Sequence, residues 1–171
     1  LQVRMRTDPT VLVAAMNGAA AGGGLGLALA CDARIAAPEA KLAAAFFKLG
    51  LSPDGGTTWL LPRLVGNQVT RRFFFNDEVW SGSEAHEKGA VDEVVAMDEL
   101  IDTAVQMAAK WGKWSQLSRS GTKQLLDAST STFFQTQLEF EQALIIAASQ
   151  TKEFEEGVAA FLEKRHPDFG S

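Results

Sequence analysis

The sequence predicts an α/β core of short strands and helices that gives way to an all-helical C-terminal region. Three observations carry this. Short apolar, β-rich runs punctuated by glycine turns recur through the first part of the chain. The first two runs flank a glycine turn and an apolar helix, and that order implies a parallel strand pair joined by a crossover. Beyond Met97 the glycine punctuation thins, and apolar residues recur at helical spacing, as at Phe154, Val158 and Phe161.

The elements follow in order. Thr10 to Met16 reads as a buried strand closed by Asn17-Gly18. Gly22-Gly23-Gly24 then leads into an apolar helix over Leu25 to Cys31, and Asp32 to Ala37 is a second short strand stopped by Pro38. Lys41 to Phe46 reads as a third strand, Leu49 to Gly56 as a loop, and Thr57 to Pro62 as a helix start. Asn67 to Phe75 is helical in pattern. Ser81 to Gly89 reads as a short helix with Ser83 as its N-cap and Gly89 as its stop. Val91 to Val95 is a last strand. Helices follow over Met97 to Trp111, Ser115 to Ala128, Thr132 to Gln150 and Thr151 to Lys164. The division expected from this shift is a core over residues 1–112 and a helical region over 113–171.

The bulk properties narrow the function classes. A chain of 171 residues buries roughly 70% of its unfolded surface, enough for a real core. Hydrophobic residues at 46% and charged residues at 22% are globular values. A net charge of −5 argues against nucleic acid as a partner. The single cysteine, Cys31, excludes an internal disulfide and fits a reducing, cytoplasmic setting. No apolar run approaches the roughly 20 residues of a membrane span. The chain begins at Leu1, without an initiator methionine, on residues that read as the tail of a helix, so upstream residues are expected.

Three consecutive glycines between a strand and a helix need a reason, because each costs roughly 1 kcal/mol of ordering against alanine. One reason is close strand–helix packing. The other is chemical: amides at a helix start lack acceptors and sit at the positive end of the dipole, so they can donate to an anionic oxygen where no Cβ blocks the approach. The dinucleotide fingerprint fails here, since Leu27 or Leu29 stands where its last glycine belongs. No G-x-S-x-G elbow occurs. His86-Glu87 opens a zinc-like pattern, but Ala90 replaces the second histidine, which discards a metal site.

The stretch Asn17 to Asp32, with its Ala-Gly-Gly-Gly-Leu-Gly centre, resembles the glycine-rich signature of the crotonase (enoyl-CoA hydratase/isomerase) superfamily. Three further blocks resemble that family in order and spacing: Leu49 to Gly66, Ser81 to Val95, and Glu156 to Arg165. The resemblance implies a spiral of ββα units followed by a helical trimerisation region, with trimers paired into hexamers. It implies an acyl-CoA or enoyl-CoA thioester as substrate and no separate cofactor, since coenzyme A arrives as part of the substrate.

By the same resemblance, Gly23 supplies one of two oxyanion-hole amides, flanked by Gly22 and Gly24. The other donor belongs to an upstream loop outside this chain. The two glutamates with which hydratases of the family activate water map onto Gly26 and Phe46, neither of which transfers a proton. Asp54, after Pro53, maps onto an aspartate that isomerase branches use to move a proton, and a dehalogenase branch places its nucleophile at about the same point. The residues themselves leave two readings of Asp54 open. It can cap the helix beginning near Thr57, or it can be an acid/base beside the apolar side chains of Phe46, Phe47, Leu51 and Trp59. Phe161 and Lys164 match a Phe and Lys that the family presents to coenzyme A from a neighbouring subunit; read without the family, Lys164 and Arg165 are surface charges. Phe46 and Pro53 are expected to line the acyl site. Cys31 is expected in the core, Phe73-Phe74-Phe75 and the tryptophans in the core or at a subunit interface, His86 on a solvated helix face, and Asp32 tying down the strand start. The expected activity is double-bond isomerisation with Asp54 as acid/base. The alternatives are an enoyl-CoA hydratase and a non-catalytic acyl-CoA-binding relative.

Overall fold

The computed structural model describes residues 1–170 and divides them into two compact units: 1–5 with 12–108, and 6–11 with the residues from 109 onward. Along the chain α1 (Gln2–Thr7), whose residues to Met5 belong to the first unit, precedes β1 (Val13–Met16), β2 (Ala19–Ala21) and α2 (Gly23–Ala30). Next come β3 (Ala33–Ala36), β4 (Lys41–Ala43), a 3₁₀ turn at Phe47–Leu49, α3 (Thr57–Val65) and α4 (Asn67–Phe75). The unit continues through β5 (Val79–Ser81), α5 (Gly82–Glu87) and β6 (Glu93–Val94) into α6 (Leu100–Gly112).

The six strands are shared between two small sheets, and β1 to β4 alternate between them. One has the order β1-β3-β6, parallel throughout, with Val13 opposite Ala33 and Met16 opposite Ala36. The other has the order β2-β4-β5, parallel between β2 and β4 and antiparallel between β4 and β5. The pairs β1–β2 and β3–β4 each contribute one strand to each sheet before a helix carries the chain onward, while β5 and β6 add one strand to each sheet on either side of α5. This is the predicted α/β class in the form of a spiral.

The core is built from Leu25 and Leu29 of α2, Leu42 of β4, Leu60 and Leu61 of α3, and Phe73 and Phe74 of α4. Trp80 joins them, its ring 4.3 Å from that of Phe73. All four residues of β3 are buried, as a strand flanked on both sides requires. One of them is Arg34, 4% exposed. Its guanidinium donates to the carbonyls of Ala90 and Cys31, each at 2.9 Å, and to the Asp92 carboxylate at 3.0 Å. Asp92 Oδ2 also accepts the Arg34 amide at 2.8 Å. Asp32 plays the expected tying role, accepting the Leu12 amide at 2.8 Å ahead of β1.

The structure corrects several local expectations. The third strand ends at Ala43, where Ala45 turns to φ +54° and drops Phe46 into the core. The N-cap of α5 is Ser81, not Ser83: its hydroxyl accepts the Glu84 amide while the Glu84 carboxylate accepts the Ser81 amide. Phe75 is exposed, unlike its two predecessors, and Cys31 is only half-buried. His86, by contrast, is exposed as expected, with Nδ1 3.0 Å from the Val91 carbonyl oxygen.

In the second unit, α7 (Gln116–Ser129), α8 (Phe134–Ala148) and α9 (Lys152–Glu163) follow one another. The early segment is tied to α7, with Arg6 paired to Asp127 and Arg119 donating to the Pro9 carbonyl at 2.9 Å. No residue of α8 is buried, and its exposed faces include Phe134, Leu138, Ile145 and Ile146. Past α9 the chain reverses at Lys164 (φ +54°), and Arg165 pairs with Glu156, which also accepts the Asp168 amide at 2.8 Å. Among the described residues no helix is long and apolar enough to cross a membrane.

Replacing Arg34 by methionine strands the buried carbonyl of Ala90 and the part-buried carbonyl of Cys31. It should lower the unfolding free energy by about 2–3 kcal/mol, read by urea denaturation at an unchanged slope. The Arg165 guanidinium and the Asp168 amide hold the Glu156 carboxyl down at about 2, below its ordinary 4.5. A group depressed in the folded state contributes its stability above the unfolded value and loses it as the pH falls. The 165–169 tail should therefore come off α9 as the pH drops from 4.5 towards 2. NMR of the tail amides in wild type, with Glu156→Gln detached at all pH values, checks this.

Candidate active site

The glycine turn leads from β2 into α2. Gly22 precedes α2 at φ +52°, a conformation that L side chains resist, and the Phe46 ring lies 3.8 Å from where its Cβ would stand. The first bond of the helix runs from the Gly26 amide to the Gly22 carbonyl at 3.2 Å. The amides of Gly23 and Gly24 lie ahead of that bond and have no helical acceptor. Both residues are exposed.

The second element is the loop before α3. Asp54 is exposed, and its Oδ1 lies 4.0 Å from the place a Cβ on Gly23 would occupy. No described residue hydrogen-bonds to its carboxylate. Capping of α3 falls elsewhere: the N-cap position is Gly56, and it is the Asp54 backbone carbonyl that accepts the Thr57 amide at 3.1 Å and the Thr57 hydroxyl at 2.8 Å. The main chain of Asp54 thus serves the helix, while its side chain is left facing the glycine turn. Pro53 is half-buried beside it. Gly55 and Gly56 follow at φ +59° and +73°.

The two positions that lack glutamates are closed by packing. A Cβ on Gly26 would meet the Gly55 carbonyl oxygen at 2.1 Å and Gln2 Nε2 at 3.0 Å. Phe46 is buried among the core residues, its ring 6.3 Å from that of Phe74. Gln2 was not recognised in the sequence, because nothing local marks a glutamine whose partner stands 53 residues away.

Phe161 and Lys164 belong to the second unit, and both are exposed. Phe161 borders a groove of about 370 Å³ shared with Ser115, Phe154, Gly157 and Phe169. Lys164 is the left-handed C-cap of α9. Among the described residues no three His, Cys, Asp or Glu side chains cluster as a metal ion would require.

The contrast between two neighbouring glycines is measurable. A Cβ on Gly24 meets nothing within 4 Å, whereas one on Gly26 strikes backbone. Gly24→Ala should leave stability unchanged or raise it by up to about 1 kcal/mol, while Gly26→Ala should cost about 1–3 kcal/mol. Paired thermal unfolding midpoints read the difference.

Comparison with known proteins agrees with this geometry. The family model described as enoyl-CoA hydratase/isomerase matches residues 1–171. The chain is 39% identical to the 1,2-epoxyphenylacetyl-CoA isomerase of Escherichia coli K12, over 97% of this chain and 63% of that protein. It is 34% identical to the 2,3-dehydroadipyl-CoA hydratase of the same organism, over 99% and 66%. The crystal structure of an enoyl-CoA hydratase/isomerase from Cupriavidus metallidurans CH34 superposes with a TM-score of 0.92 at 33% identity, covering 98% of this chain and 63% of that one. The chain thus spans just under two thirds of the length of these relatives. With the glycine turn, the Asp54 loop and the alternating sheets all accounted for, the chain belongs to the crotonase (enoyl-CoA hydratase/isomerase) superfamily.

Proposed function

We propose that the protein bearing this chain is an enoyl-CoA isomerase that moves a carbon–carbon double bond along the acyl chain of a CoA thioester. One observation carries the reading: a single unpartnered carboxylate, Asp54, faces the turn that holds the free amide of Gly23. With a 3-enoyl thioester, Asp54 takes a proton from C2. Negative charge spreads onto the thioester oxygen, where the Gly23 amide donates to it. Asp54 then returns the proton at C4, leaving the 2-enoyl product. No water is consumed and no cofactor is needed, because coenzyme A is part of the substrate.

The helical unit supports an oligomeric setting for this chemistry. With no buried residue on α8 and with Phe161 82% exposed, the reading assigns these faces to contacts within a homotrimer or hexamer. Phe161 and Lys164 would then reach coenzyme A bound to a neighbouring subunit.

A hydratase reading is favoured by the relatives whose names record that activity. Against it stand Gly26 and Phe46, where the family's water-activating carboxylates would be.

With a 3-enoyl-CoA substrate, Asp54→Asn should lose about 10²- to 10⁴-fold in kcat with KM within about threefold. Unchanged turnover removes the acid/base role. Hydration of a short 2-enoyl-CoA by the wild type would place the protein among the hydratases, and thioester binding without any turnover would make it a binding relative.

A further inference from the structure

The loop that carries Asp54 is held by a side chain far away in sequence. Gln2, on α1, is half-buried, and its Nε2 donates to the Gly55 carbonyl at 2.7 Å. Its Oε1 lies 3.5 Å from where a Cβ on Gly56 would stand. The held carbonyl occupies the space that any side chain at position 26 would need, 2.1 Å from that Cβ position. On the other side of the loop, a Cβ on Gly55 would stand 3.4 Å from the Gly23 α-carbon.

We propose that Gln2 is a positioning residue whose amide clamps the Gly55 carbonyl onto the bare α-carbon of Gly26, and thereby fixes Asp54 against the Gly23 turn. The physical need is plain from the loop. Gly55 and Gly56 both sit at positive φ, and glycine enters and leaves that region freely, so a two-glycine hinge directly after the acid/base would not hold a carboxylate by itself. The Thr57 hydroxyl anchors the Asp54 carbonyl from the helix side. Gln2 anchors the next carbonyl from the opposite element. Two successive peptide oxygens are thus tied down, one at the entry to the hinge and one within it, and the Asp54 side chain stands on the first of these residues. Gly26 takes part by absence, since only a residue without Cβ lets the clamped carbonyl reach the helix. The catalytic part of this proposal rests on Asp54 acting as the acid/base.

The test uses the full-length protein with Gln2→Met, which keeps the volume and removes the donor. Gly26→Ala serves as a second route to the same displacement should the first variant fold poorly. Two readouts are taken: hydrogen exchange of the amides at residues 54–57, and steady-state isomerisation of a 3-enoyl-CoA in wild-type and Asp54→Glu backgrounds. Both variants should raise exchange in the loop. They should lower kcat by about 10- to 100-fold with KM within about threefold, as expected for a misplaced catalytic group. In the Asp54→Glu background, whose carboxylate is already off position, the further loss should shrink to about threefold or less, the non-additivity of a coupled pair. Unchanged exchange in the loop overturns the clamp. An equal kcat loss in both backgrounds overturns the positioning role, because a merely structural glutamine would act independently of Asp54. Full turnover in Asp54→Asn overturns the acid/base reading by itself, and the clamp is then judged by the exchange data.

Discussion

The site depends on one backbone-to-backbone contact. The Gly55 carbonyl rests on α2 at the point where position 26 has no side chain, closer than any Cβ would allow. That contact sets the separation of the second glycine loop from α2. Thr57, fully buried at the start of α3, takes its place from the same loop, and Leu60 and Leu61 then reach the cluster containing Leu25 and Leu29. A side chain at position 26 would compete for the volume that brings Asp54 to Gly23. In this backbone a carboxylate at 26 and the observed Asp54 placement are therefore alternatives, and the choice between them is made by packing before any chemistry occurs.

Much of the architecture was legible because its signals are local. Glycine stops and helical apolar spacing gave the helices to within a few residues, and α4 matches its expected range. The strands β2 and β5 were not legible. Ala19-Ala20-Ala21 has no β-branched or aromatic residue, and it is a strand only because β4 lies alongside to accept its ladder. Val79-Trp80-Ser81 is too short to show an alternation. The misplaced cap had its signal in the sequence: Ser81 and Glu84 stand three apart, the spacing of a reciprocal capping box, whereas Ser83 has no such partner.

The candidate site divides the same way. Its glycines and Asp54 could be singled out because turn chemistry and an isolated carboxylate are visible one residue at a time. The elimination of the capping role needed coordinates, since it turns on whether the carboxylate or the carbonyl of Asp54 serves α3. The role of Gln2 rests on a contact that closes only after strands, helices and a loop have been placed, so a polar residue in a short opening helix carries no mark of it.

The exposure of Gly23, Gly24 and Asp54 constrains how such a site can work. A hydrogen bond to a developing oxyanion contributes most where water is excluded, because the same donor in bulk solvent merely replaces a water. Nothing in the first unit buries these three groups, so under the proposed reaction the exclusion must come from the bound thioester and from what packs over it. The segment leading into Asp54 is suited to receive an apolar ligand, since it exposes Phe47, Leu49 and Leu51 in succession. An acyl chain laid against such side chains would displace water from the carboxylate and the amide together. Binding energy from the unreactive part of the substrate would then strengthen the electrostatics at the reacting carbons. A truncated acyl group would lose kcat as well as affinity, because it would leave the Gly23 amide and the Asp54 carboxylate wet.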